Sequence, residues 1–240
     1  MLLTESVGML IALAACLSLI HLVAEKVPFS SPMTRERWLS AGAGVSIVYV
    51  FVVVLPKIGA HAEALEGTPI SEGYFLVFCG LAAFFGVERI AREANSNGGV
   101  LEVGWLTRRP VFWAHIAVFV AYNTVIGYML VDGRLIDRPL PYAIAMGLHL
   151  FGIDEGLRGH HNEGYHRIGR WLLAGSVLVG AGLALTISID PATQTWMLAL
   201  LAGGIIFNAI KEELPEDQES SFWAFIIGAG VFSGVVTLIM

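Results

Sequence analysis

The residues best placed to do chemistry lie in one stretch, Leu148-His149-Leu150-Phe151-Gly152-Ile153-Asp154-Glu155-Gly156-Leu157-Arg158. Ionisable groups in so apolar a setting are costly, and so they are functional suspects by default. Helical periodicity puts Phe151, Gly152, Glu155 and Arg158 on one face. Asp154 is turned about 100° away from Glu155. Adjacent carboxylates here must bind a cation, take up a proton or lie close to water. Alternatively, Glu155 and Arg158, three apart, neutralise each other near a helix end. Both readings stay open at this stage.

A second polar stretch, Tyr122-Asn123-Thr124-Val125-Ile126-Gly127, interrupts another apolar segment. Asn123 can offer an amide oxygen to a cation, or it can hydrogen-bond a neighbouring helix, a contact worth only about 1 kcal/mol. His115 shares the Tyr122 face and reads as a packing or hydrogen-bonding residue. His160, His161, Glu163 and His166 form a His-rich tract expected in a loop. It can hold a metal weakly, although a solvated polar loop explains it better. Lys211-Glu212-Glu213 with Glu216, Asp217 and Glu219 can draw cations to a channel mouth, or simply be a solvated helix end. Asn208 is the deeper polar group on that side. Cys16 and Cys79 fit no disulfide framework or metal motif and read as packing residues.

The elements that must position these groups follow from composition. Hydrophobic residues make up 56% and charged residues 14%, against about a quarter charged in soluble domains. A bilayer crossing takes roughly 20 apolar residues. Eight segments qualify, at about 3–24, 39–56, 73–91, 110–131, 140–160, 168–188, 194–213 and 221–239. All should be helical, since lipid offers the backbone no partners. They leave no room for a soluble domain, so residues 1–240 form a single transmembrane domain. The expected layout is a first repeat (1–91), a central helix pair (110–160) and a second repeat (168–240). Asn95 to Gly104 is the most linker-like stretch.

The first segment carries Glu5 and no cation ahead of it, unlike a signal peptide, and is expected to be retained. Lys26, Arg35, Arg37, Arg89, Arg92, Arg108, Arg109, Arg158, Arg167 and Arg170 fall in alternate loops, with Lys211 beside another of that set. The remaining loops hold Lys57, Arg134 and Arg138. Cytoplasmic loops are rich in Lys and Arg, which puts both termini outside. A bacterial or archaeal plasma membrane is the expected location.

One pattern occurs twice on segments that should cross in opposite directions. Ala43-Gly44 is followed by Leu55-Pro56, and Ala202-Gly203 by Leu214-Pro215 at the same spacing. The next segments match too: Gly80, Phe84 and Gly86 line up with Gly228, Phe232 and Gly234. Oppositely oriented repeats are a transporter signature, with the site between them near the midplane.

With eight spans, external termini, a three-two-three layout and inverted triplets, the chain resembles the ZIP (Zrt-, Irt-like) divalent-metal transporters. Ile153-Asp154-Glu155-Gly156-Leu157 is similar to the family's fifth-helix Ile-Pro-Glu-Gly-Leu, with Asp154 in place of Pro. Tyr122-Asn123-x-x-Ile126-Gly127 is similar to its fourth-helix His-Asn-x-Pro-Glu-Gly. The resemblance implies a metal site between the fourth and fifth helices and alternating access. Asn123 and Glu155 keep the ligand types, with Asp154 and His149 as further candidate ligands. Tyr122, Ile126, Phe151 and Gly152 depart from the pattern, and the sixth segment lacks an interior acid. Zinc normally needs about four ligands, so the implied site looks eroded and Arg158 is a candidate replacement for the cation.

The expectation is therefore a ZIP-like transporter of a divalent metal (zinc, iron or manganese) or of a changed substrate. The alternative is a ZIP-fold membrane protein without metal transport, acting as a sensor or interaction scaffold. Proton-coupled transport through Asp154 and Glu155 is a third option. The metal would be cargo, with no prosthetic group. Phosphate loops, His-Glu-x-x-His helices and nucleophile elbows are missing, so no enzyme is expected, and no basic aromatic surface suggests nucleic acid. The lipid bilayer is the main partner. Gly-rich third and eighth segments offer surfaces for a homodimer.

Overall fold

Backbone polar groups in lipid must be satisfied within the chain, and helices do this segment by segment. The computed structural model describes residues 2–27, 29–64, 70–96, 109–213 and 221–239, and among them there is no strand. Helix α1 covers Leu2–Val23, α2 Pro32–Tyr49, α3 Leu55–Ala64, α4 Ile70–Ser96 and α5 Arg109–Asp132. They are followed by α6 (Pro139–Gly164), α7 (Arg170–Thr186), α8 (Pro191–Glu213) and α9 (Phe222–Ile239). Among the described residues six stretches are long and apolar enough to cross a bilayer: Val7–Lys26, Pro32–Ala62, Glu72–Ile90, Phe112–Asp132, Tyr165–Thr186 and Pro191–Lys211. Helix α9 is apolar but shorter. Helix α6 carries Asp154, Glu155 and Arg158.

Local chemistry sets several helix ends. Ser31 accepts a hydrogen bond from the Thr34 N–H (3.2 Å) with Pro32 at the first helical position, a preferred start. Asp190 does the same for α8 through the Thr193 N–H (2.9 Å), ahead of Pro191. Gly133, at φ 70°, closes α5 in the left-handed region that glycine tolerates best.

Three boundaries differ from expectation. The second segment does not stop at Pro56. A π-helical turn over Val50–Val54 leads into α3, which continues to Ala64. Proline lacks an N–H, and its ring crowds the carbonyl four residues back. A widened π turn gives room for both. The His-rich tract is not a loop either: it belongs to the helical end of α6 and a π-helical turn at Tyr165–Gly169. Helix α4 also runs through Asn95 to Ser96, so the expected linker begins later. The rest of that linker, and Leu214-Pro215, lie outside the described residues.

The helices pack in pairs. Helix α6 runs antiparallel to α5: the Tyr142 hydroxyl donates to the Ile126 carbonyl (3.0 Å), and Gly164 lies against Phe112. Helix α7 then runs parallel to α5, with Gly169 beside Ile116 and Tyr128 donating to the Ile187 carbonyl at 3.0 Å. The other two close pairs are α2 with α9 and α4 with α8, and glycines mark both crossings. A Cβ on Gly44 would lie 2.2 Å from the Phe225 carbonyl oxygen, and one on Gly203 2.0 Å from that of Val77. A Cβ on Gly80 would lie 2.3 Å from the Leu200 oxygen, and one on Gly228 2.3 Å from that of Ala41. Backbones approach this closely only where the residue is very small.

Candidate functional site

Helices α1, α5 and α6 meet at His21. Its Nδ1 donates to the Asp154 carboxylate, at 2.8 Å to Oδ1 and 3.0 Å to Oδ2. Its Nε2 then accepts from the Asn123 amide nitrogen at 3.0 Å. The Tyr165 hydroxyl donates to the His21 carbonyl at 3.4 Å. Asn123 is 0%, His21 1% and Asp154 2% exposed. Among the described residues the Asn123 Oδ1 is a buried oxygen without a hydrogen-bond partner. Such chains are strong in a low dielectric and expensive when incomplete.

Glu155 faces elsewhere, as its rotation around α6 from Asp154 requires. Its carboxylate, with a side chain 2% exposed, is gripped by the guanidinium groups of Arg35 and Arg158. Arg158 comes from one turn further along α6, the spacing that sequence alone offered. Arg35 comes from the first turn of α2. Two cations face one anion, so the cluster carries a formal charge of about +1. The arginine side chains are 39% and 27% exposed, so the cluster reaches solvent while its carboxylate does not.

His149 points to neither cluster. Its Nε2 shares a 2.7 Å hydrogen bond with the Tyr122 hydroxyl. It also lines a cleft between α2, α6 and α8, with Ala43, Ser46, Gly152, Ile153 and Asn208. Two further clusters tie helices together. Lys211 donates to Glu88 at 3.0 Å, with the His115 Nε2 3.8 Å from the same carboxylate, joining α8, α4 and α5. Glu25 accepts from His166 and Arg170, both at 2.9 Å. The side chains of His160, His161, Glu163, Glu212, Glu213, Glu216, Asp217 and Glu219 lie outside the described residues.

Of the four candidate ligands, Asn123 and Asp154 are brought together, but through His21. Glu155 belongs to the arginine cluster and His149 to the cleft. Among the described residues no three His, Cys, Asp or Glu side chains converge as a metal-holding group. Sequence reasoning missed His21 and passed over Arg35 as a topology marker. The signal for His21 was available, since it is a polar residue inside the apolar run of the first segment. The glycines expected to serve a homodimer are partly engaged internally: Gly80 and Gly228 hold the α4–α8 and α2–α9 crossings, whereas a Cβ on Gly86, Gly230 or Gly234 would meet nothing within 4 Å. No family model matches the chain, and no curated protein matches it.

Proposed function

We propose that this multi-pass membrane protein is a transporter of ZIP-like build that no longer carries a divalent metal at the Glu155 position. The observation that carries this reading is the pairing of Glu155 with Arg35 and Arg158. A divalent ion 4 Å from one guanidinium group is repelled by roughly 8 kcal/mol at an effective dielectric constant of 20. A metal would have to displace both arginines before reaching the carboxylate. The other candidate carboxylate, Asp154, already has an imidazole donor.

The transporter architecture is supported by the glycine crossings. Aligning Gly44 with Gly203 also aligns Ala41 with Leu200, and aligning Gly80 with Gly228 aligns Val77 with Phe225. Both glycine contacts of the α2–α9 pair therefore have counterparts in the α4–α8 pair, and Gly127 and Gly180 make the same kind of crossing between α5 and α7. The agreement of contacts with sequence alignment in the first two pairs supports inverted repeats 1–91 and 168–240 around the central pair 110–160, within eight crossings. In such a fold, access alternates by movement of one bundle against the other. The Lys and Arg distribution supports external termini in a plasma membrane. A homodimer in this scheme would form on the open glycines of α4 and α9.

The test is metal binding and uptake by the purified, reconstituted protein. Zinc, cadmium, manganese and iron(II) are expected neither to co-purify in stoichiometric amounts nor to enter vesicles faster than through protein-free bilayers. Glu155→Ala should leave uptake unchanged. Saturable uptake of any of these ions, lost in Glu155→Ala, would refute the proposal.

A further inference from the structure

The cleft between α2, α6 and α8 has a character that neither charged cluster shares. Among the described residues no Asp, Glu, Lys or Arg lines it; its polar groups are Ser46, His149 and Asn208. These are 0%, 5% and 6% exposed. Each keeps hydrogen-bonding capacity beyond its internal contact. The Ser46 hydroxyl donates to the Gly42 carbonyl (2.8 Å), which leaves its oxygen able to accept. The Asn208 amide nitrogen donates to the Gly204 carbonyl (2.9 Å), which leaves the amide oxygen and a second hydrogen. Among the described residues Tyr122 is the hydrogen-bond partner of His149, which leaves the second ring nitrogen. The cavity is about 20 Å³, enough for one water-sized guest. A Cβ on Gly152, in the cleft wall, would meet nothing within 4 Å.

We infer that this cleft binds a small uncharged hydrogen-bonding solute, of about the size of water, through Ser46, His149 and Asn208. The inference rests on the proposed loss of metal transport and names the class of cargo that replaces the ion. An ion stripped of water in this cleft finds no counter-charge among the described lining residues and is strongly disfavoured. A neutral solute gives up only hydrogen bonds, and three buried polar side chains return them. The cleft is walled by α2 of the first repeat, α6 of the central pair and α8 of the second. These are parts that must move against one another if access alternates.

Gly152→Leu supplies the test, because its side chain can grow into open space and leucine favours the helix. The protein is reconstituted in vesicles, and water and urea permeation are followed by light scattering after an osmotic step. Wild-type vesicles are expected to pass water faster than protein-free ones but urea no faster, and Gly152→Leu to bring water to the protein-free rate. Asn208→Leu should slow water about five-fold, the equivalent of one net hydrogen bond. Unchanged melting temperatures would establish that both variants are folded, and Asn208→Leu carries the test if Gly152→Leu is not. Wild-type water permeation at the protein-free level, or folded variants as permeable to water as wild type, would overturn the assignment. Divalent uptake in the same vesicles would instead overturn the reading on which it rests.

Discussion

His21 holds the largest share of buried polar organisation, so its removal should be felt most. His21→Ala leaves Asp154 and Asn123 buried without their shared partner. Breaking such a pair from one side costs about 3–5 kcal/mol. Unfolding in detergent should show a loss of that order, and His21→Ala combined with Asp154→Ala should lose less than the sum of the two. Glu155→Gln is the contrast. Its arginines are 39% and 27% exposed and can turn to water, so its cost should be only about 1 kcal/mol. A larger loss from Glu155→Gln than from His21→Ala would reverse this ranking. The residue types were legible in sequence, because carboxylates in an apolar run announce themselves. The pairing of Glu155 with Arg158 was legible too, being local to one helix. The link from Asp154 to His21 crosses 133 positions, and no periodicity within a helix encodes which neighbour it will meet. Arg35 was obscured for a related reason, since a cation near a segment end serves topology equally well.

Helix ends offer a test by pH. The Asp190 carboxyl is held below its ordinary range because it accepts from the Thr193 hydroxyl and backbone N–H at the start of α8. A depressed folded value means that the carboxylate stabilises the folded state above the unfolded pKa of about 4. That contribution fades as pH falls through the lower folded value. Asp190→Asn keeps a competent cap but does not titrate. The melting-temperature advantage of wild type over Asp190→Asn should therefore be present at pH 6 and shrink progressively as pH is lowered below about 4. An advantage independent of pH would reject the charged cap. At this scale the apolar runs were readable, and their central stretches fall within α1, α2 and α4 to α9. Their ends were less so. Leu55-Pro56 reads as a stop, yet the π-helical turn before it carries the chain on to Ala64. The His-rich tract reads as a loop because its composition is polar, but helical hydrogen bonds extend through it. Composition reports solvation, whereas continuation of a helix depends on backbone geometry that neighbouring turns can adjust.

Close glycine crossings join α2 to α9, α4 to α8 and α5 to α7, and the likeness of the first two can be tested without knowing the cargo. The proposed repeat is marked in sequence only by short Ala-Gly and Gly-x-x-x-Phe coincidences, which common membrane residues can mimic. Reciprocity by itself does not mark a repeat, since Gly127 against the Val177 oxygen and Gly180 against the Thr124 oxygen show it between α5 and α7 too. The α2–α9 and α4–α8 pairs add glycines that also line up in sequence. Gly44 meets α9 as Gly203 meets α4, and Gly80 meets α8 as Gly228 meets α2. Adding a methyl group at any of the four drives it to within 2.0–2.3 Å of a facing carbonyl oxygen. Backbone cannot rotate aside as a side chain can, so the helices must separate. Overpacking of this kind costs about 1–3 kcal/mol. Gly44→Ala and Gly203→Ala should lower thermal stability by similar amounts, as should Gly80→Ala and Gly228→Ala. Gly86→Ala and Gly234→Ala, where the added carbon meets nothing within 4 Å, should be neutral or slightly stabilising, since alanine favours the helix. If one repeat tolerates the methyl groups and the other does not, the halves do not share a packing plan. Equal sensitivity would mean that the interfaces gripping the α2–α6–α8 cleft are built alike on both sides, as a bundle that rocks between two faces of a membrane requires.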